Sequence, residues 1–207
     1  MTGSIDVMRL ANPEPASVIP VFPLNTVLVP GGFLPLQIFE QRYLDMVRDC
    51  VSNDSGFGVC LIMDNARPQS RSYHARIGTL ARIRDWNTLE NGLLGITAQG
   101  YQRFIIRSTS MRDNGLMTAN VEWLAEPPKT DIPDSQLLLA TIAGRLMDKL
   151  EANYPDYSKS HLEDAGWVAY RLTELLPLKS TERQSLLELD DPVQRLAALI
   201  EIIPRFQ

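Results

Sequence analysis

Between Val18 and Val47 an apolar, β-branched run is cut by Pro20, Pro23, Pro30 and Pro35, and this limits what the segment can become. Proline has no backbone donor, so strands tolerate it at edges, ends and bulges. Four in one apolar stretch predict short, bent strands rather than one long ladder. Pro30-Gly31-Gly32 is a turn signal, and glycine accepts the positive φ that such turns need. Beyond it Leu34, Leu36 and Ile38 alternate with Pro35, Gln37 and Phe39, the period of a strand. From Glu40 the period lengthens, and Tyr43, Leu44, Met46 and Val47 fit one face of a helix. The segment reads strand, strand, turn, strand, helix.

The chain that follows continues in strand-length pieces. Phe57 to Met63 is an apolar run suited to a strand buried on both faces. Residues 64–76 are polar and longer than an ordinary connection, which suits a surface loop. Strands are expected over Ile77–Trp86, Leu93–Ala98, Tyr101–Arg107 and Met117–Leu124, with a kink at Gln99-Gly100 and a hairpin at Asp113-Asn114-Gly115. Consecutive strands with short turns point to an antiparallel barrel or a sandwich. Glu126 to Pro133 is proline-rich and without period, so it reads as a linker. Helices are expected after it: about Asp134 to Asn153, then from a capping box at Ser160-His161-Leu162-Glu163 to Leu176, a short one capped by Ser180, and a last one from Asp191-Pro192.

Size and composition agree with a globular protein. The 207 residues are 44% apolar and 22% charged. No apolar run approaches the ~20 residues of a membrane helix, and Asp6 and Arg9 break the only short apolar patch near the start, so the beginning does not read as a signal peptide. Residues 1–17 read as a flexible tail, and a cytoplasmic location is expected. Cys50 and Cys60 are read as reduced, mostly buried thiols. Net charge is −5, with the excess of basic residues confined to the middle of the chain, so a general polyanion binder is excluded.

Several of these residues carry a resemblance to a known family. Pro20 with Phe22-Pro23-Leu24, Pro30-Gly31-Gly32, Leu34-Pro35-Leu36, and Ile38-Phe39-Glu40 with Arg42-Tyr43 resemble the start of the amino-terminal domain of Lon proteases, and more closely the stand-alone bacterial proteins built on it. Ile77-Gly78-Thr79 with Ala81, Gly100 with Arg103-Phe104, and Leu175-Leu176-Pro177-Leu178 with Leu186-Leu187-Glu188 extend the likeness over nearly all of 18–204. The resemblance implies an α+β fold: a PUA-like antiparallel β-barrel over 18–126, a linker over 127–133, and a C-terminal helical bundle over 134–207. It also implies a non-catalytic role, engaging unfolded or partner polypeptides.

The chemistry of an enzyme is missing. No glycine precedes a lysine, so there is no P-loop, and no G-x-G-x-x-G. His74 and His161 stand far apart with no metal-ligand neighbour at standard spacing, and are expected to be solvated or capping. Lys129, Lys149, Lys159 and Lys179 include none in S-x-x-K spacing. No catalytic residue, cofactor or metal is expected, nor a membrane partner. Arg82, Arg84 and Trp86 share a strand face by the period of two, as do Arg103 and Arg107; together they form a strip that could contact RNA, the alternative function, or simply a solvated sheet face. Glu40, Arg42 and Tyr43 are expected to fix the junction of sheet and helix. A groove where the β part meets the helices is the expected binding site.

Overall fold

The computed structural model describes residues 17–63, 73–150, 154 and 157–206. The expected tail, except Ser17, and residues 64–72 of the expected loop lie outside them. Six strands form one sheet: β1 (Ser17–Leu24), β2 (Phe33–Ile38), β3 (Phe57–Leu61), β4 (Ile77–Thr88), β5 (Leu94–Met111) and β6 (Met117–Trp123). The five α-helices among the described residues are α1 (Gln41–Ser52), between β2 and β3, then α2 (Leu137–Leu150), α3 (Ala165–Leu175), α4 (Ser180–Glu188) and α5 (Pro192–Ile202).

The proline-cut segment forms two strands, not three. Residues 25–32 are an irregular connector in which Leu28 and Val29 are buried. Its backbone bonds go to a turn instead of a ladder: Gly32 N–H donates to the Val29 carbonyl at 3.0 Å, Gly31 N–H to the Gly100 carbonyl at 2.8 Å, and Gly100 N–H to the Gly32 carbonyl at 2.9 Å. β1 accommodates its prolines by changing partner midway, lying against β6 over Ser17–Pro20 and against β3 over Val21–Leu24.

Strand order is β2-β5-β4-β3-β1-β6, and β6 pairs again with β5, so the pairings close a ring with β2 outside it. The sheet is not wholly antiparallel as expected. β1 and β3 run parallel, because α1 lies in the connection that returns the chain in the same direction. β5 is one long strand where two were expected. The kink at Gln99-Gly100 survives as a register shift opposite Thr79 and Ala81. There Gly100 leaves no room for a side chain, since a Cβ would stand 2.2 Å from the Val29 carbonyl oxygen.

Burial follows the periods. All of β3 is buried, as its unbroken apolar run requires. α1 turns Tyr43, Met46, Val47 and Cys50 onto a core with Phe57 and Ile96. In the helical part Leu139, Ala143, Val168, Leu172, Leu196 and Leu199 make a second core. A small cluster of Val29, Tyr170 and Leu187 joins the two. Full burial of each such side chain is worth about 1.5–3 kcal/mol.

Two helix starts differ from expectation. α3 opens at Ala165, where the Asp164 carboxylate accepts from Gly166 N–H at 3.0 Å. Ser158 and His161 cap the 3-10 turn of Lys159–Glu163 that precedes it, so the box centred on Ser160 does not form. Ser180 is not the cap of α4; its hydroxyl donates to the Asn25 carbonyl at 2.8 Å, and Glu182 instead accepts from Lys179 N–H at 3.0 Å. Asp191 caps α5 with Pro192 at its first position. Residues 126–133 are bound to the start of α3 and the turn before it: the Thr130 carbonyl accepts from Ala165 N–H at 2.8 Å, and Lys129 pairs with Glu163 at 3.1 Å.

Candidate functional site

The residues singled out from the sequence do not gather into one site. Glu40 and Arg42 pair at 2.7 Å, and Arg42 also donates to the Gly115 carbonyl at 2.8 Å, tying the start of α1 to the β5–β6 hairpin. Tyr43 stacks on Phe22 with ring centroids 3.8 Å apart. Burial raises its phenol above the ordinary range, Arg42 working against this.

The strip of arginines is broken. Arg82 stands opposite Gln99 and Trp86 opposite Ile96. Gln99 and Ile96 are three positions apart, an odd number, so Arg82 and Trp86 point to opposite faces. The register shift between Ile83 and Asp85 causes this by adding Arg84 as an extra residue. The Arg82 guanidinium lies 5.5 Å from the Tyr101 ring centre. Arg107 is exposed and paired with Glu122. Arg103 is fully buried: its Nε donates to Glu126 at 2.8 Å, and its Nη1 to the Leu187 and Leu189 carbonyls at 2.9 and 3.2 Å. It is a fastening between β5 and the turn after α4, and is closed to solvent.

Two more arginines do similar work from the helices. Arg195 donates to the Leu186 and Leu189 carbonyls and lies 4.1 Å from the ring centre of Tyr170, whose hydroxyl donates to Glu126 at 3.0 Å. Arg171, on α3, donates to the Gly31 carbonyl at 2.6 Å and the Pro30 carbonyl at 2.7 Å, and pairs with Glu174 at 3.0 Å. Burial pulls its guanidinium down from its ordinary value, and the Glu174 carboxylate opposes this.

Above Arg171 the β part and the helices leave a cleft of about 110 Å³, lined by Gly31, Phe33, Gln99, Tyr154, Tyr157, His161, Trp167 and Arg171. Phe33 meets Tyr154 edge-on at 5.5 Å, and Tyr157 and His161 each stack with Trp167, at 5.6 and 5.2 Å. The Arg171 guanidinium lies 5.6 Å from the Tyr154 ring centre and 5.9 Å from that of Trp167. Burial, then the nearby Glu174 charge, push the Tyr154 phenol well above its usual range. The wall can stack on a ring and shield an apolar group. Sequence reading placed a groove at this junction but missed these residues. The signal was available in Tyr154 and Tyr157, which flank the proline taken only as a helix end.

His161 caps and stacks, whereas His74 is buried with its Nδ1 2.9 Å from the Ala75 carbonyl, contrary to a solvated role. Cys50 and Cys60 are free and buried, and burial pushes the Cys60 thiol up to about 12. Among the described residues no three His, Cys, Asp or Glu side chains converge as a metal site, and no helix is long and apolar enough to cross a membrane.

This arrangement of sheet and helices has relatives. Residues 18–205 match the family described as the ATP-dependent protease La (LON) substrate-binding domain. The chain belongs to that family. A solved Lon N-terminal domain protein from Xanthomonas campestris is 38% identical, with a TM-score of 0.75 over 89% of this chain and 98% of that one. The N-terminal domain of the Mycobacterium avium complex Lon protease, 17% identical with a TM-score of 0.65, shares the fold. The Lon protease of Cytophaga hutchinsonii is 26% identical across 99% of this chain, which spans only 27% of that protein. The LON family match thus falls on a substrate-binding region.

Proposed function

We propose that this LON-family chain is a non-catalytic protein-binding module that recognises unfolded or partner polypeptides in the cytoplasm. In this reading the ring of strand pairings is a PUA-like barrel over 18–126, the helices over 134–207 form a bundle, and the cleft between them receives the client. The observation that carries the reading is the aromatic cleft, built from both parts, with Arg171 bonded to the Pro30 and Gly31 carbonyls in its lining. Concave, mostly apolar sites with a few fixed polar groups are the usual form of a ligand pocket.

RNA is the weaker alternative. The basic strip it would need is broken by the bulge at Arg84, buried at Arg103 and neutralised at Arg107. An unfolded client loses entropy on ordering, so affinity is expected to be roughly micromolar. Fluorescence anisotropy of a labelled, permanently unfolded polypeptide titrated with the purified chain tests the proposal. Saturable binding near that concentration is the expected result, and no binding at ten times that concentration contradicts it.

A further inference from the structure

We propose that Asn91, at the tip of the β4–β5 hairpin, is a site of spontaneous deamidation, and that Arg42 protects the same turn where it recurs at Asn114.

The chain uses one five-residue turn twice. Leu89-Glu90-Asn91-Gly92-Leu93 joins β4 to β5, and Arg112-Asp113-Asn114-Gly115-Leu116 joins β5 to β6. Both close with the same three bonds. The N–H of the first residue donates to the carbonyl of the fifth at 2.9 Å, and the glycine N–H donates to the carbonyl of the first at 2.8 Å. The N–H of the fifth donates to the asparagine Oδ1, at 3.1 Å in the first turn and 3.0 Å in the second. Gly92 and Gly115 take positive φ, 79° and 78°.

This geometry suits attack on an asparagine by its own backbone. The bond to Oδ1 folds the side chain back over the following peptide group and polarises its carbonyl. Glycine follows, so no Cβ hinders the approach. The Gly92 nitrogen, having given its proton to water, attacks Cγ of Asn91. The bond from Cγ to the side-chain nitrogen breaks, and that nitrogen takes a proton and leaves as ammonia. Water then opens the succinimide at either carbonyl, giving aspartate or isoaspartate. Both products replace a neutral amide by a carboxylate. Isoaspartate also adds a methylene to the backbone of the hairpin that carries the exposed Trp86.

The turn must open first, because the glycine N–H is bound and the peptide has to rotate. The two turns differ in what resists opening. At Gly92 a Cβ would meet nothing within 4 Å, so the turn stands clear of the rest of the described residues. At Gly115 the carbonyl accepts from Arg42 Nη1 at 2.8 Å, and Leu116 is buried. Opening there breaks an additional bond from a charged donor, which slows the reaction by about tenfold or more.

The test is mass spectrometry of the whole protein after incubation at neutral pH. Tryptic peptides 85–103 and 113–129 each hold one Asn-Gly pair and one other asparagine, Asn87 or Asn120, as a control. In the native protein Asn91 should convert about tenfold faster than Asn114, to aspartate and isoaspartate. In urea the two should convert at similar rates. In Arg42→Met, with its thermal transition retained, Asn114 should speed up about tenfold while Asn91 is unchanged. If that variant does not fold, the native and urea comparison of the wild type decides alone. Native Asn91 that converts no faster than Asn87 or Asn114 would overturn the proposal. A difference between Asn91 and Asn114 that persists in urea would also overturn it, since neighbouring side chains would then set the rates. Asn114 left slow in folded Arg42→Met would overturn the protective role of Arg42.

Discussion

Arg103 on β5 and Glu126 beyond β6 meet at 2.8 Å beneath the helices, with the guanidinium fully buried and also bound to the Leu187 and Leu189 carbonyls and to the Asp190 carboxylate. Removing the guanidinium takes the donor from the Leu187 carbonyl and leaves the partly exposed Glu126 without its cation. Arg103→Met should cost about 2 kcal/mol in urea unfolding. Arg103→Lys should recover little, because one ammonium cannot reproduce the fork of an arginine. A loss below about 1 kcal/mol for Arg103→Met would show that the pair does not hold the parts together.

Gly100→Ala tests the seating of the connector on β5. Its Cβ would stand 2.2 Å from the Val29 carbonyl oxygen, so the Gly31 and Gly32 bonds to Gly100 must break or shift. A loss of at least about 2 kcal/mol in thermal or urea unfolding is expected. Because Arg171 holds the same turn, the variant should also weaken client binding. Unchanged stability would contradict the close approach.

Tyr154 and Tyr170 predict how the protein fails in alkali. Burial raises both phenols above the ordinary value, with the charges of Glu174 and Glu126 adding to the rise. The unfolded chain loses these protons near pH 10, while the folded chain keeps them. Above that pH the folded state binds more protons, so stability must fall as pH rises. Absorbance of phenolate near 295 nm should show some tyrosines ionising near pH 10 and a later group ionising only as the protein unfolds. A single titration of all six tyrosines near pH 10 would contradict the burial.

Neither cysteine should react with a thiol reagent before unfolding. Both are buried, and burial raises both thiols, Cys60 to about 12, so little nucleophilic thiolate is present. Fast labelling of either in the native protein would contradict this.

What the sequence showed plainly was coded by period or by cap. The change of period at Glu40 marked α1, the unbroken run at Phe57 marked the fully buried β3, and Asp191-Pro192 marked the start of α5. What it hid depends on distant covering or on a single residue of register. Arg103 alternates along β5 like an exposed arginine, and only the turn after α4 makes it interior. One extra residue at Arg84 sends Arg82 and Trp86 to opposite faces. The cleft joins Phe33, Gln99 and Arg171, which no local pattern links. The parallel β1–β3 pair likewise depends on where the chain returns after α1.

The proposed role is capture of polypeptide by apolar contact, not of RNA by charge. A salt titration of anisotropy, with an unfolded polypeptide and with a structured RNA, on wild type and on the Arg82→Ala, Arg84→Ala double variant, tests it most directly. Apolar burial responds little to salt, whereas phosphate contacts lose affinity steeply as salt rises. Polypeptide binding should be saturable, change little with salt and be equal in both proteins. No polypeptide binding, together with salt-sensitive RNA binding that the double variant loses, would contradict it.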